Sequence, residues 1–72
     1  MEKQEIISEL VEILLLDDGY NVDETPIKFD SLSSLMLVEF LDSNFNISIN
    51  KEEINSFETI QCVLDFIDEK KN

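Results

Sequence analysis

The stretch Asp30-Ser31-Leu32-Ser33-Ser34-Leu35-Met36-Leu37-Val38-Glu39-Phe40-Leu41-Asp42-Ser43-Asn44-Phe45 decides the fold. It opens on aspartate and serine, two residue types that start helices well. It then runs without a glycine or proline, so a helix over roughly Ser31 to Phe45 is expected. At about 100° per residue, Leu37, Val38, Leu41 and Phe45 fall on one arc that should face a core. Leu32, Leu35, Met36 and Phe40 fall outside that arc, so the helix is apolar almost all round. Such a helix is either wholly buried or exposes an apolar patch to a partner. Full burial is difficult in a 72-residue chain, which favours the patch.

Working outward, the other segments also read as helical. Ile6, Ile7, Leu10, Ile13 and Leu14 recur at helical spacing over roughly Lys3 to Leu16, with Glu5, Ser8, Glu9 and Glu12 opposite. Asp17-Asp18-Gly19 should end this first helix, with Gly19 as a left-handed C-cap. The only glycine and the only proline, Gly19 and Pro26, both fall between Asp17 and Phe29, which reads as a long loop. Asn44 to Asn50 alternates apolar and polar residues, a strand signal. With no second strand to pair it, this segment reads as an extended connector anchored by Ile47 and Ile49. A short helix from about Lys51 to Asn55 should be pinned by Ile54 and Phe57. A last helix from about Glu58 to Lys70 should bury Ile60, Val63, Leu64 and Ile67. Asp65, Asp68 and Glu69 then face water, and Lys70 and Lys71 complement its C-terminal dipole. The expected fold class is all-α, a four-helix bundle in one domain over residues 1–72, with a long first loop and a short third helix.

Composition removes whole classes of function. Seventeen acids against five lysines and arginines give a net charge of −12. Lys70-Lys71 is the only cation pair, so phosphate backbones and anionic lipid surfaces are poor partners. One cysteine and no histidine exclude an internal disulfide, a thiolate–imidazole zinc site and a Ser-His or Cys-His catalytic pair. The longest aliphatic run is Ile13 to Leu16, far short of the roughly 20 residues of a membrane span. The first five residues are too acidic and polar for a signal peptide, which makes the cytoplasm the default location; a monomer is expected. So small a chain has little left over to wall off a water-excluding pocket, which argues against an autonomous enzyme. Asp17, Asp18, Asp23 and Glu24 around Gly19 lack the spacing of a calcium loop, and Cys62 reads as a half-buried filler.

Chemistry is expected where the long loop enters the second helix. Ser31 places a hydroxyl at a helix N-terminus, where free backbone N–H groups favour a negatively charged substituent. The plain reading is an N-cap. No base is available to activate the serine, so any modification of it must be catalysed by another protein.

Asp30-Ser31-Leu32 resembles the Asp-Ser-Leu signature of acyl and peptidyl carrier proteins. The similarity continues through Leu37-Val38, Leu41, Phe45, Ile47 and Glu52-Glu53-Ile54, then Phe57-Glu58-Thr59-Ile60-Gln61 and Asp65-Phe66-Ile67. It covers nearly the whole chain. The resemblance implies a bundle carrying 4'-phosphopantetheine on Ser31, with Asp30 supporting attachment. It implies a phosphopantetheinyl transferase that installs the arm from coenzyme A with magnesium. The arm would hold acyl, aminoacyl or polyketide groups as thioesters for a loading ligase or adenylation enzyme and for condensing or transferring enzymes. The protein itself would catalyse nothing. Helix two would be the recognition surface, with Leu32, Leu35, Met36 and Glu39 as candidate contacts and Asp42 beside them.

Departures from the family pattern shape the pathway expectation. Lys28 stands where many members have glycine. Ser33 and Met36 stand where fatty-acid synthase carriers usually have acids. Partners that select carriers through basic residues would bind this helix weakly, which favours a specialised polyketide, nonribosomal peptide or aminoacyl pathway over housekeeping fatty-acid synthesis. The reading from another class is an unmodified acidic interaction module using the Leu32/Met36 patch. Ile7, Leu41, Ile54 and Ile60 could enclose a fatty chain; the residues do not decide that.

Overall fold

Helix two begins where Asp30 caps it. Four α-helices form among the described residues: α1 (Lys3–Leu14), α2 (Ser31–Phe45), α3 (Lys51–Asn55) and α4 (Ile60–Lys71). The computed structural model describes residues 2–71, with side chains described as far as residue 70. No strand forms among them, so residues 46–50 are the extended connector that the lack of a second strand suggested. Ile47 is buried there and Ile49 half-buried.

The core is built where α1 packs against α2 and α4. Leu10, Leu37, Leu41, Ile60 and Val63 have no exposed surface, and each buried aliphatic side chain stabilises the fold by about 1.5–3 kcal/mol. The expected stripe of α4, Ile60, Val63, Leu64 and Ile67, is buried throughout. The short α3 is held by reciprocal bonds at its start. Glu53 N–H donates to Asn50 Oδ1 at 2.8 Å, and Asn50 N–H donates to Glu53 Oε1 at 3.1 Å. Ile54 and Phe57 are buried beneath and after it.

Two backbone hydrogen bonds tie the long loop to the start of α4. Ile27 N–H donates to the Glu58 carbonyl and Gln61 N–H to the Val22 carbonyl, each at 2.9 Å. Ile27 is buried, and Tyr20, Val22 and Phe29 are partly buried against the core. α4 begins at Ile60, two residues later than the expected start at Glu58, whose carbonyl is engaged by the loop. The Gln61 N–H, which has no partner within the first turn of α4, is satisfied by the loop. Between those ties, Asn21 Oδ1 accepts from the backbone N–H groups of Asp23 and Glu24.

Two other expectations are corrected. The burial face of α2 is Ser33, Leu37, Phe40 and Leu41, an i, i+4, i+7, i+8 set. Phe40 therefore belongs to the core, while Val38 and Phe45 sit half-buried at its edge. The rotation brings Phe40 against α1, where it shares a groove with Glu9 and Ile13. Helix one ends at Leu14, two residues early, and its left-handed cap is Leu15, with φ 55° and ψ 47°. Gly19 has no positive φ. Leu15 N–H donates to the Glu12 carbonyl and Leu16 N–H to the Val11 carbonyl, a Schellman closure. At the end of α2 the same conformation is taken by Asn46, with φ 57°, a residue type that tolerates it.

Leu15 is 87% exposed, so its side chain contributes almost no burial to offset the left-handed backbone. That conformation costs a non-glycine residue about 1–2 kcal/mol, partly offset by the unfolded-state entropy that glycine would add. Leu15→Gly is expected to stabilise the fold by about 0.5–1 kcal/mol, raising Tm by roughly 4 °C in a thermal melt. An unchanged or lower Tm would show that the leucine is not strained.

Candidate functional site

Asp30 and Ser33 form a closed capping box at the start of α2. Ser33 N–H donates to Asp30 Oδ1 at 2.8 Å, and Asp30 N–H donates to Ser33 Oγ at 2.8 Å. The Ser33 hydroxyl also donates to Asp30 Oδ1 at 2.9 Å. Ser33 is buried, and its bonds to Asp30 lower the Asp30 pKa from the usual aspartate value. Burial opposes that shift without reversing it. Asp30 is therefore the cap, and the plain reading of Ser31 as an N-cap is replaced. Ser31 is the first helical residue and is exposed. Its hydroxyl makes no hydrogen bond to the described residues, while its neighbour two positions on is wholly engaged. Ser34, the other serine nearby, is half-buried.

Two clefts flank Ser31. On the α3 side, a cleft of about 500 Å³ is lined by Ser31 itself, Phe29, Ser34, Leu35, Val38, Ile49, Lys51 and Ile54, among others. On the α1 side, a groove of about 320 Å³ is lined by Leu15, Lys28, Asp30, Leu32 and Met36 with the end of α1. The candidate contacts are thus divided: Leu32 and Met36 lie on one side of the serine and Leu35 on the other. All three are exposed, at 67%, 43% and 65%. Glu39 is exposed beside Met36 on one face and lines a groove with Asp42, Leu35 and Ile47 on the other. Lys28 is exposed on ordinary backbone, since no positive φ occurs in this stretch, so glycine is not needed there. Of the suggested chain-binding set, Ile54 reaches the α3-side cleft, while Ile7, Leu41 and Ile60 are buried in the core. Cys62 is half-buried, and its thiol is shifted down mainly by its contact with the Thr59 hydroxyl at 3.5 Å.

The sequence reading missed Leu15 and the role of Ser33. The signal for Leu15 was an apolar residue off the α1 stripe. The signal for Ser33 was an oxygen-bearing side chain three residues after Asp30, the spacing of a capping box.

Ser31 thus lies exposed and without a hydrogen bond to the described residues at the start of α2, beside two open clefts of a small all-α bundle. Over 74 aligned residues the chain is 30% identical to the acyl carrier protein of Micrococcus luteus, covering 92% of this chain and 91% of that protein. No protein-family model and no solved structure matches it. The chain belongs to the acyl carrier protein family. Members of that family are carriers and not enzymes. They generally bear a phosphopantetheine arm and work with biosynthetic enzymes. No helix among the described residues is long and apolar enough to cross a membrane.

Because folding lowers its pKa, the Asp30 carboxylate supports the helix fully above the ordinary aspartate range. That support is lost as pH falls through the lowered value. In an NMR titration, Asp30 should protonate below the usual aspartate range, and Ser33→Ala should return its midpoint upward. The same variant should cost about 1 kcal/mol in urea unfolding, whereas Ser31→Ala should leave stability within about 0.5 kcal/mol. Equal losses in the two variants would contradict the assignment of the cap.

Proposed function

We propose that the chain is a single carrier domain that bears 4'-phosphopantetheine on Ser31 and presents tethered biosynthetic intermediates to partner enzymes in the cytoplasm. The observation that carries this reading is the division of labour at the start of α2. Asp30 and Ser33 satisfy each other, which leaves the Ser31 hydroxyl exposed and uncommitted. The site fits a phosphodiester: the substituent would sit at a 15-residue helix's N-terminus, where unpaired N–H groups favour negative charge. When bound, the arm supplies a terminal thiol that holds acyl or aminoacyl groups as thioesters. The chain's own residues do the rest. Ser31 contributes the ester oxygen, and Asp30 fixes the helix start and thereby the direction in which that oxygen points. The exposed side chains of Leu32, Leu35 and Met36 meet partners. Tethering raises the effective concentration of an intermediate at each partner without new contacts.

Incubation with coenzyme A, magnesium and a broad-specificity phosphopantetheinyl transferase tests the reading by intact-protein mass. The wild type should gain one phosphopantetheine and Ser31→Ala none. A folded wild-type protein that gains nothing, or a variant that still gains the arm, would sink the assignment.

For the pathway, we favour a specialised polyketide, nonribosomal peptide or aminoacyl system over housekeeping fatty-acid synthesis. Ser33 no longer supports this preference, because its side chain is turned inward to the cap. Met36 does: it is exposed at a position where a charge-selecting partner would look for an acid. With the malonyl transacylase of a fatty-acid synthase, Met36→Glu is expected to raise kcat/KM for the arm-bearing protein several-fold. A wild-type protein already turned over as fast as that synthase's own carrier would favour the housekeeping reading.

A further inference from the structure

Lys51 lines the α3-side cleft, the same cleft that Ser31 lines. The apolar walls of that cleft include Phe29, Val38, Ile49 and Ile54. A site that is mostly apolar with one charged group encloses an apolar chain and fixes its polar end. Lys51 is exposed and makes no ion pair with the described residues, although Glu52 and Glu53 follow it directly. Glu53 is turned instead to Asn50, whose N–H it accepts from at 3.1 Å. Lys51 also occupies the first position of α3, the end at which a helix favours acids over cations. Its charge therefore serves neither the helix nor an internal pair.

The rest of the lining leaves that charge unbalanced. Asp30 is the one acid of the cleft, and its carboxylate accepts from the Ser33 N–H at 2.8 Å and the Ser33 hydroxyl at 2.9 Å. The remaining polar groups there, Ser34 and Asn55, are uncharged. A net charge of −12 repels anionic groups from most of this surface, so a cleft with a free cation and an occupied acid is the exception. The α1-side groove differs: it holds Lys28 but adds Glu12, and Ser31 does not line it.

We propose that the α3-side cleft selects tethered acyl groups that end in a free carboxylate, with Lys51 as the residue that sets this specificity. The aliphatic part of the cargo lies along Val38, Ile49 and Ile54, and its carboxylate pairs with the Lys51 ammonium. This rests on the reading of Ser31 as the attachment serine and names the cargo class of that site. An aminoacyl group, whose ammonium Lys51 repels, is disfavoured in the same cleft.

Three cargoes of similar length test the proposal: hexanoyl, adipoyl and aminocaproyl, which end in a methyl, a carboxylate and an ammonium. A broad-specificity phosphopantetheinyl transferase delivers each from its coenzyme A thioester to the serine. Cleavage of the loaded thioester by hydroxylamine, relative to the same thioester of free coenzyme A, reads how far the cleft holds the cargo. Amide NMR shifts at Ile49, Lys51 and Ile54 read where it lies. The adipoyl thioester should be cleaved roughly three- to fivefold more slowly than the other two, the range that an exposed ion pair supports. It should also shift those amides. Lys51→Gln should remove the difference, and Lys51→Glu should pass the protection to the aminocaproyl cargo. Equal rates for the three cargoes, or an adipoyl advantage that survives Lys51→Gln, overturns this proposal and leaves Ser31 as the attachment site. Protection of hexanoyl equal to that of adipoyl overturns it as well and assigns the cleft to apolar cargo. A folded wild type that takes up no arm overturns both readings.

Discussion

The capping box between Asp30 and Ser33 is the constraint on which the rest of the structure depends. It fixes the residue at which α2 begins, and with it the phase of every side chain on that helix. Packing against α1 then turns Leu37, Phe40 and Leu41 into the core. It leaves Leu32, Leu35 and Met36 in water. The box also separates two serines that look interchangeable in sequence. One is drawn inward to satisfy the helix end; the other, two residues earlier, stays outside with nothing to bond.

A second constraint is how little backbone ties the long loop down. Residues between α1 and α2 would drift if held only by the partial burial of Tyr20, Val22 and Phe29. The bonds from Ile27 to Glu58 and from Gln61 to Val22 fix the loop to the start of α4. The position of Ser31 is therefore set from two directions, locally by the cap and at a distance by the loop's attachment to the last helix. A residue held in this way keeps its geometry while the surface around it stays exposed.

The surface of the molecule shows opposing demands. A charge of −12 disfavours contact between copies and contact with polyanions. Against that background, the exposed leucines and Met36 gather around the entry to α2 and the end of α1. Fold stability alone would remove them, since they bury little and Leu15 is strained as well. Their exposure at the rim of the serine fits the proposed encounters with partner enzymes.

The sequence by itself determined the helical class, the α2 and α3 boundaries and the buried stripe of α4. Each of these follows from local spacing or cap chemistry. The Asp-Ser-Leu resemblance gave the family, and 30% identity over nearly the whole chain bears it out. Only the tertiary structure decided the rest. Whether Phe40 or Val38 faces inward depends on where α1 lies against α2, which helical periodicity does not encode. Where α1 stops is set by a Schellman closure at Leu15, a leucine where propensity favours glycine. Which serine caps α2 is decided by bonds that Asp30, Ser31 and Ser33 could each have entered by residue type. In each case several local answers were nearly equal in energy, and contacts between segments distant in sequence selected one.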